Sequence, residues 1–219
     1  MLSIELNTTL IPQLKLRDTV KRALQLINDF KVSHLPVVAD NKYLGLISED
    51  DLLDADSDSM IEIIQEDFIK TAIDESEHFL AAVNISIQYQ CSIVPVINKA
   101  GDFLGTITSP ALLKALGTFA GAHDIVGIIV LEMERNQFAI SEISRIVESN
   151  EATILHLNTI FHSDTGLLSV TLHLNKKELS AIVAAFERYE YIVTYYFGEE
   201  KFENEIENNY RHLMNYLDI

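Results

Sequence analysis

Two side chains in the first half of the chain have the type and spacing to bind a small polar ligand. Ser48 and Asp51 lie one helical turn apart at the start of a predicted helix, residues 49–53. The Asp51 carboxylate can accept hydrogen bonds from adjacent hydroxyls such as those of a ribose. The Ser48 hydroxyl would lie at the helix N-terminus, where backbone N–H groups favour a phosphate. In the alternative interpretation, Asp51 only stabilises the N-terminus of its helix.

The elements that would position this pair occur twice. The segments HLPVV at 34–38 and LGLIS at 44–48 return as IVPVI at 93–97 and LGTIT at 104–108. Each copy is predicted to contain a helix, a strand, a turn, a second strand and a helix. Two such copies bury their apolar faces against each other, and the cleft between them suits a small ligand.

Capping residues and turns set the predicted boundaries of these elements. Asp18 or Thr19 can cap the first helix, which would start at Val20, and strands follow at 32–39 and 43–47. In the second copy the turn spans residues 98–102 and a helix starts at Thr108. Pro110 suits the first turn of that helix, where its missing N–H costs little.

These motifs resemble the CBS domain family, and the two copies together resemble a Bateman module. The resemblance covers residues 8–118 and rests on the repeated x-Pro-Val, each followed by Gly-h-h-Ser/Thr. It implies that Ser48 and Asp51 hold an adenosine nucleotide, with a strand at Ile11 and Pro12 forming part of the wall around the base. The ligand-binding residues implied in this way are Ile11, Pro12, His34, Pro36, Ser48 and Asp51.

The second copy departs from this pattern. Thr108 matches Ser48, but Ala111 stands where the carboxylate should be, so a degenerate second site is predicted there. Residues 49–77 hold 12 acidic residues and a single basic one, Lys70. Because this field opposes a polyphosphate, AMP, adenosine or an S-adenosylmethionine-like ligand is predicted rather than ATP. No cofactor is expected to be required.

Composition excludes several classes of protein. The net charge is −17, with acidic residues spread over the whole chain, which argues against nucleic acid and anionic membranes as partners. Cys91 is the only cysteine, so no internal disulfide can form, and a reducing compartment is favoured. The N-terminus lacks signal-peptide order, and the longest apolar run, residues 125–131, is too short to span a membrane. A cytoplasmic protein is expected.

The second half has a different pattern. A linker is predicted at residues 117–122, followed by strand, helix, two strands, helix and strand, with Asn175 capping the second helix. This βαββαβ order is ferredoxin-like. Residues 124–198 therefore resemble an ACT domain. The turn at 134–138 lacks the Gly of amino-acid-binding ACT domains, which favours dimerisation over effector binding.

Metal binding is not predicted in either half. The acidic run at residues 54–58 lacks the Gly and Glu that a calcium loop requires at its sixth and twelfth positions. His156 and His173 would lie close together across a hairpin, but two exposed histidines without a third ligand are not a metal site.

The C-terminal tail, residues 199–219, repeats apolar residues at spacings of three and four, which predicts an amphipathic helix. Its apolar seam could dock on its own domain, or on a partner helix across a dimer. The predicted seam residues are Phe202, Ile206, Tyr210, Leu213 and Leu217.

Together these features predict an α+β protein made of a tandem CBS pair with βαββα repeats, a ferredoxin-like ACT domain and a C-terminal helix. The predicted boundaries are 1–58, 59–118, 124–198 and 199–219. The layout resembles the bacterial acetoin-utilisation CBS-ACT proteins of the AcuB type.

The predicted function is that of a homodimeric, non-enzymatic regulator, since no activated nucleophile, paired catalytic carboxylates or phosphate loop is present. It would sense a small ligand and act on an unknown regulated protein. An effector-free scaffold for oligomerisation or protein interaction, or an ACT-type amino-acid sensor, remains an alternative.

Overall fold

The computed structural model describes residues 1–122 and 127–198. Helices and strands alternate along the chain in an α+β arrangement. The chain divides into two compact units, Met1–Leu116 and Gly117–Ile219. The predicted tail helix at residues 199–219 lies outside the described residues.

The first unit contains the two repeats. In the first repeat the elements are α1 (Val20–Phe30), β1 (His34–Ala39), β2 (Lys42–Ser48) and α2 (Glu49–Asp54). In the second repeat they are β3 (Ile73–Asp74), α3 (Phe79–Gln88), β4 (Ile93–Ile97), β5 (Phe103–Thr108) and α4 (Ser109–Phe119). The predicted helices and hairpins are therefore confirmed.

Local interactions explain these boundaries. Thr19 is the residue that caps α1, because its Oγ1 accepts a hydrogen bond from the Arg22 N–H at 3.3 Å. Asp40 and Asn41 both have left-handed backbone angles, so the first hairpin closes in a tight two-residue turn. In both hairpins the strand register shifts before the turn, at Val37/Val38 in the first and at Val96/Ile97 in the second.

The segment that precedes each repeat crosses to the other repeat before it joins its own. Thr8 forms two backbone hydrogen bonds with Thr106 of β5, and Ile69 forms two with Leu46 of β2. The chain then returns, and Leu14 pairs in parallel with Val37 of its own repeat, as β3 does with β4. The two repeats are thus interlocked by exchanged segments.

A glycine lies beneath each crossing point. A Cβ added to Gly45 would lie 2.7 Å from the Phe68 Cβ, and one added to Gly105 would lie 2.6 Å from the Thr8 carbonyl oxygen. Both glycines also have positive φ angles. The repeated Gly-h-h motif therefore provides the space that the exchanged segment needs.

The second unit is a four-stranded antiparallel sheet with two helices. Its elements are β6 (Gly127–Glu134), α5 (Ile140–Ser149), β7 (Ile154–Phe161), β8 (Leu167–Leu174), α6 (Ser180–Arg188) and β9 (Ile192–Phe197). The strand order β7-β8-β6-β9 is that of the predicted ferredoxin-like fold. Alternate residues of β6 and β8 pack with both helices in one hydrophobic core.

Two local predictions for this half were wrong. Asn175 does not cap α6; its Oδ1 accepts a hydrogen bond from the Thr153 N–H at 2.7 Å, and α6 begins at Ser180. The predicted linker at 117–122 is partly helical, because α4 continues to Phe119. None of the helices in residues 1–122 and 127–198 is long and apolar enough to cross a membrane.

Candidate functional site

The junction between β2 and α2 places the Ser48 hydroxyl beside the Asp51 carboxylate. Ser48 has extended backbone angles and is the N-cap of α2, where its Oγ accepts the Asp51 N–H at 3.1 Å. The same hydroxyl donates a hydrogen bond to the Asp51 carboxylate. Both side chains are half-buried, so the pair is held in one geometry and still reaches the surface.

His34 lies beside this pair because it is directly opposite Ser48 in the β1–β2 ladder. His34 is only 7% exposed, and its Nδ1 accepts a hydrogen bond from the Ser92 N–H at 3.4 Å. Since Nδ1 is the acceptor, the proton of the neutral ring is on Nε2. Burial lowers the pKa of His34, against the opposing effect of Asp51 and Asp50.

Two serines that prediction missed join the repeats at this point. Ser33 and Ser92 occupy equivalent positions in the two copies, and the Ser33 N–H donates to the Ser92 Oγ at 3.0 Å. The Ser33 Oγ also lies 3.1 Å from the His34 Nδ1. A serine at the same position of both repeats was the available signal, although it does not reveal that the two serines touch.

The predicted wall residues divide into two groups. Pro36 is buried in β1, and its carbonyl accepts a hydrogen bond from the Leu14 N–H at 2.8 Å. The segment at Leu14 therefore covers Pro36. The predicted strand at Ile11 and Pro12 does not form; pairing with the first repeat begins at Leu14, because Pro12 has no N–H to contribute to a ladder.

Ile11 and Pro12 line a separate cavity of about 370 Å³. Its other walls come from residues beside them and from the start of β5. The lining residues are Thr9, Ile11, Pro12, Gln13, Phe103 and Leu104. Of the predicted residues, therefore, His34, Ser48 and Asp51 come together, whereas Ile11 packs against the cores of both repeats and lines, with Pro12, the cavity at the start of β5.

The second repeat keeps the backbone geometry of this corner without its carboxylate. The Ala111 N–H donates to the Thr108 Oγ1 at 3.4 Å, as the Asp51 N–H does to Ser48. Ile93 takes the place of His34 opposite Thr108. Neither Ile93 nor Ala111 has a side chain that can hydrogen-bond to a ligand.

The first turn of α2 makes the corner strongly acidic, since Glu49 and Asp50 stand beside Asp51. Within residues 1–122 and 127–198, no group of three or more His, Cys, Asp or Glu side chains could hold a metal ion. His156 and His173 do face each other across β7 and β8, with ring centroids 6.0 Å apart.

The second unit contains a cavity of about 280 Å³ beside the turn at 135–137. Its walls include Gln137 from that turn, Glu142 from α5 and Tyr191, which directly precedes β9. The Tyr191 hydroxyl donates to Glu142 at 2.9 Å, and burial raises the pKa of Tyr191 to about 12. The cavity therefore presents carboxylate oxygens and phenol rings.

Comparison with known proteins accounts for the repeated half. Residues 7–58 match the family model of the CBS domain. The second repeat has the same order of helix, hairpin and helix and the same strand pairing. The first repeat is therefore similar to a CBS domain, and the second repeat shares its layout. The family match includes His34, Ser48 and Asp51.

Solved structures similar to this chain include CBS domain proteins. A CBS domain pair/ACT domain protein from Thermotoga maritima is 20% identical, covering 54% of this chain and 98% of its own, with a TM-score of 0.49. CBSX2 in complex with AMP is 20% identical over 54% of this chain and 97% of its own, with a TM-score of 0.45. CbpB in complex with c-di-AMP is 21% identical over 56% and 89%, with a TM-score of 0.45.

Proposed function

We propose that this protein is a non-enzymatic regulator whose CBS pair binds an adenosine-containing ligand at the corner formed by His34, Ser48 and Asp51. The observation that carries this proposal is the placement of a buried histidine, a hydroxyl and a carboxylate around one half-buried strand–helix junction. CBSX2 was solved with AMP and CbpB with c-di-AMP, which belong to the same ligand class.

Each group has a defined part in this binding. The Asp51 carboxylate has lone pairs left after its bond to Ser48 and would accept hydrogen bonds from the ribose hydroxyls. The His34 Nε2–H is a donor that faces away from Ser92 and would meet an acceptor on the ligand. Glu49 and Asp50 oppose a polyphosphate, so adenosine, AMP or an S-adenosylmethionine-like molecule is proposed rather than ATP.

Regulation would then require that the ligand bind two arrangements of a dimer with different affinity. Two exposed leucines at equivalent positions favour self-association of the CBS pair. Leu53 of α2 is 64% exposed and Leu113 of α4 is 72% exposed. We also propose that the second unit is an ACT domain that takes part in the dimer, and that the protein is of the acetoin-utilisation subtype. These proposals rest on the ferredoxin-like strand order and on the sequence resemblance.

The proposal is tested by calorimetric titration of the full chain with adenosine, AMP, S-adenosylmethionine and ATP. Asp51→Asn should weaken binding by about tenfold or more, because a charged hydrogen bond to ribose is lost. Asp50→Asn is the matched control, since it removes the same charge from the same helical turn and should leave binding nearly unchanged. An absence of heat with every compound, from folded protein, would refute the nucleotide proposal.

A scaffold without an effector is the second candidate. It is favoured by the hydrogen bond between Ser48 and Asp51, because the two side chains are partners for each other without any ligand. The two exposed leucines favour it as well. Sedimentation of Leu53→Glu and Leu113→Glu, compared with the wild type, tests self-association directly. An amino-acid sensor is favoured only by the carboxylate-lined cavity next to Gln137.

A further inference from the structure

The sheet of the second unit has two different faces. One face packs on α5 and α6 in the hydrophobic core and contains alternate residues of β6, such as Ile129 and Leu131. Successive side chains of a strand point to opposite sides, so Ile128 and Val130 lie on the other face, which we call the outer face. Both are only half-buried, although β6 is a central strand. The outer face therefore presents apolar surface away from the core.

The apolar residues of the outer face form a continuous stripe along β6 and β9. Strand pairing places alternate residues of β9 directly beside those of β6 on this face. The three residues of β9 that contribute are between 55% and 62% exposed. Exposed apolar patches of this kind mark contact surfaces. The apolar stripe consists of Ile128 and Val130 of β6 and of Ile192, Tyr195 and Phe197 of β9.

The other half of the outer face, on β7 and β8, is mostly polar. Its side chains include His156, Asn158, Thr171 and His173, with Ile160 as an apolar exception. The apolar stripe is two strands wide, which is about 10 Å and matches the diameter of an α-helix. A second sheet packed on this face would need apolar residues across all four strands. The stripe therefore suits a single helix better than a second copy of the sheet.

The C-terminal tail, residues 199–219, begins next to the apolar stripe. Phe197 of the stripe is the last residue of β9, and Gly198 is the last residue that the structure describes. The predicted apolar seam of the tail, from Phe202 to Leu217, would be about 22 Å long in a helix. The strand β6 is about 26 Å long. A helix that reversed direction after Gly198 would therefore cover the stripe along most of its length.

The charges at the two ends of the stripe complement the charges along the tail. In the register of the described strands, no carboxylate lies level with Ile128 on the outer face, whereas Glu132 and Glu134 lie towards the other end. The tail has five glutamates and one lysine in residues 199–207, followed by Arg211. In a reversed helix Arg211 would lie about 15 Å along the stripe, and Glu132 lies about 13 Å from Ile128. The cation would therefore meet the carboxylates.

We propose that residues 199–219 form a helix that lies on the apolar stripe of its own chain and runs opposite to β9. The apolar seam of the tail would bury the stripe, with Ile206 above Val130 and Tyr195, and Arg211 beside Glu132. This inference does not depend on the ligand proposed above. It leaves the strand edges and the helices of the second unit for contacts between two copies of the chain.

Hydrogen exchange of the full chain, followed by mass spectrometry, tests the docking. Peptides from residues 199–219 should exchange at least about tenfold more slowly than the same segment as a free peptide. Tyr195→Glu should remove most of this protection, because it places a charge in the middle of the stripe. Asn158→Glu is the matched control, since it adds the same charge at an exposed position level with Tyr195 on the polar half. It should leave the protection unchanged.

A disulfide test measures the direction of the helix and the chain to which it belongs. Val130→Cys combined with Ile206→Cys should form a disulfide within one chain on oxidation, because the two side chains would lie in contact. Asn158→Cys combined with Ile206→Cys should not form one, although Asn158 is level with Val130 in the sheet. The native Cys91 is buried and does not compete.

Three results would overturn the inference. The first is tail peptides that exchange as fast as the free peptide. The second is unchanged protection in Tyr195→Glu while β6 and β8 still exchange slowly, which shows that the sheet is folded. The third is a disulfide between Val130→Cys and Ile206→Cys that joins two chains, because the stripe would then bind the tail of a second copy. None of these results depends on nucleotide binding, so the two proposals can fail separately.

Discussion

The two repeats of the first unit share one backbone plan but differ where they meet each other. Lys42 and Asp102 occupy equivalent positions and form a salt bridge of 2.6 Å, with Tyr43 and Phe103 stacked beside them. Two identical copies would place like charges together at this point. Divergence of a repeat therefore produced complementary contacts that a symmetric pair cannot have.

The same divergence separates the two candidate sites. The first repeat has a histidine and a carboxylate at its strand–helix corner, whereas the second has Ile93 and Ala111. At the crossing points the polarity is reversed, with apolar Leu46 in the first repeat and polar Thr106 in the second. Each repeat thus has polar groups at a different place, and equivalent substitutions should have opposite effects on stability.

The largest effect is expected when Leu46 is replaced by threonine, the residue at the equivalent position, Thr106, of the second repeat. Leu46→Thr should lower the free energy of unfolding by about 3 kcal/mol, since it removes buried apolar volume and buries a hydroxyl. Thr106→Val should instead raise it by about 1 kcal/mol, because it removes an unpaired buried hydroxyl at nearly constant shape. Urea unfolding measures both. A destabilised Thr106→Val would show that this hydroxyl has a partner.

A somewhat smaller effect is expected at the crossing glycine of the second repeat. Gly105→Ala should cost about 2 kcal/mol or more, because the new Cβ would meet the Thr8 carbonyl oxygen at 2.6 Å. Gly101→Ala is the control, since Gly101 also has a positive φ but no atom lies near its Cβ position. It should cost about 1 kcal/mol, from backbone strain alone. Equal losses in thermal unfolding would contradict a close crossing.

The smallest effect is expected from His34, the buried titratable residue of the first corner. Because burial lowers the pKa of His34, the unfolded chain takes up the proton first as the pH falls. Its contribution to stability is therefore complete above pH 6.5, the ordinary histidine pKa, and decreases as the pH falls below that value. Residue-specific NMR titration together with urea unfolding at several pH values measures it.

His34→Asn is the informative variant, because the amide oxygen can still accept the Ser92 N–H but does not titrate. It should flatten the fall in stability of the first unit between pH 6.5 and 5 without abolishing folding. His173→Gln serves as the control for the second unit, since burial also lowers the pKa of His173. An unchanged pH profile in His34→Asn would contradict a lowered pKa of His34 in the folded chain.

Prediction succeeded for elements that carry their own local signal. The cap of the first helix at Asp18 or Thr19, the repeated hairpin motifs and the helix start at Ser48 are each encoded within a few residues, so their helices and strands were found. Prediction failed where a residue far along the chain determines the hydrogen-bond partner of a side chain. Asn175 has the chemistry of a cap, but the Thr153 N–H, 22 residues away, binds its side chain instead.

The sequence by itself determined the repeat, the ferredoxin-like order of the second unit and the loss of the second carboxylate at Ala111, because these depend on residue type and spacing. Only the tertiary structure decided that leading segments exchange between repeats, since Thr8–Thr106 and Ile69–Leu46 are single pairings without periodicity. Through that exchange, Ile11 and Pro12 line a cavity together with Phe103 and Leu104 of the second repeat. The spacing of residues along the chain identifies the candidate binding side chains. The pairing of segments that are distant in sequence determines which of these side chains come together.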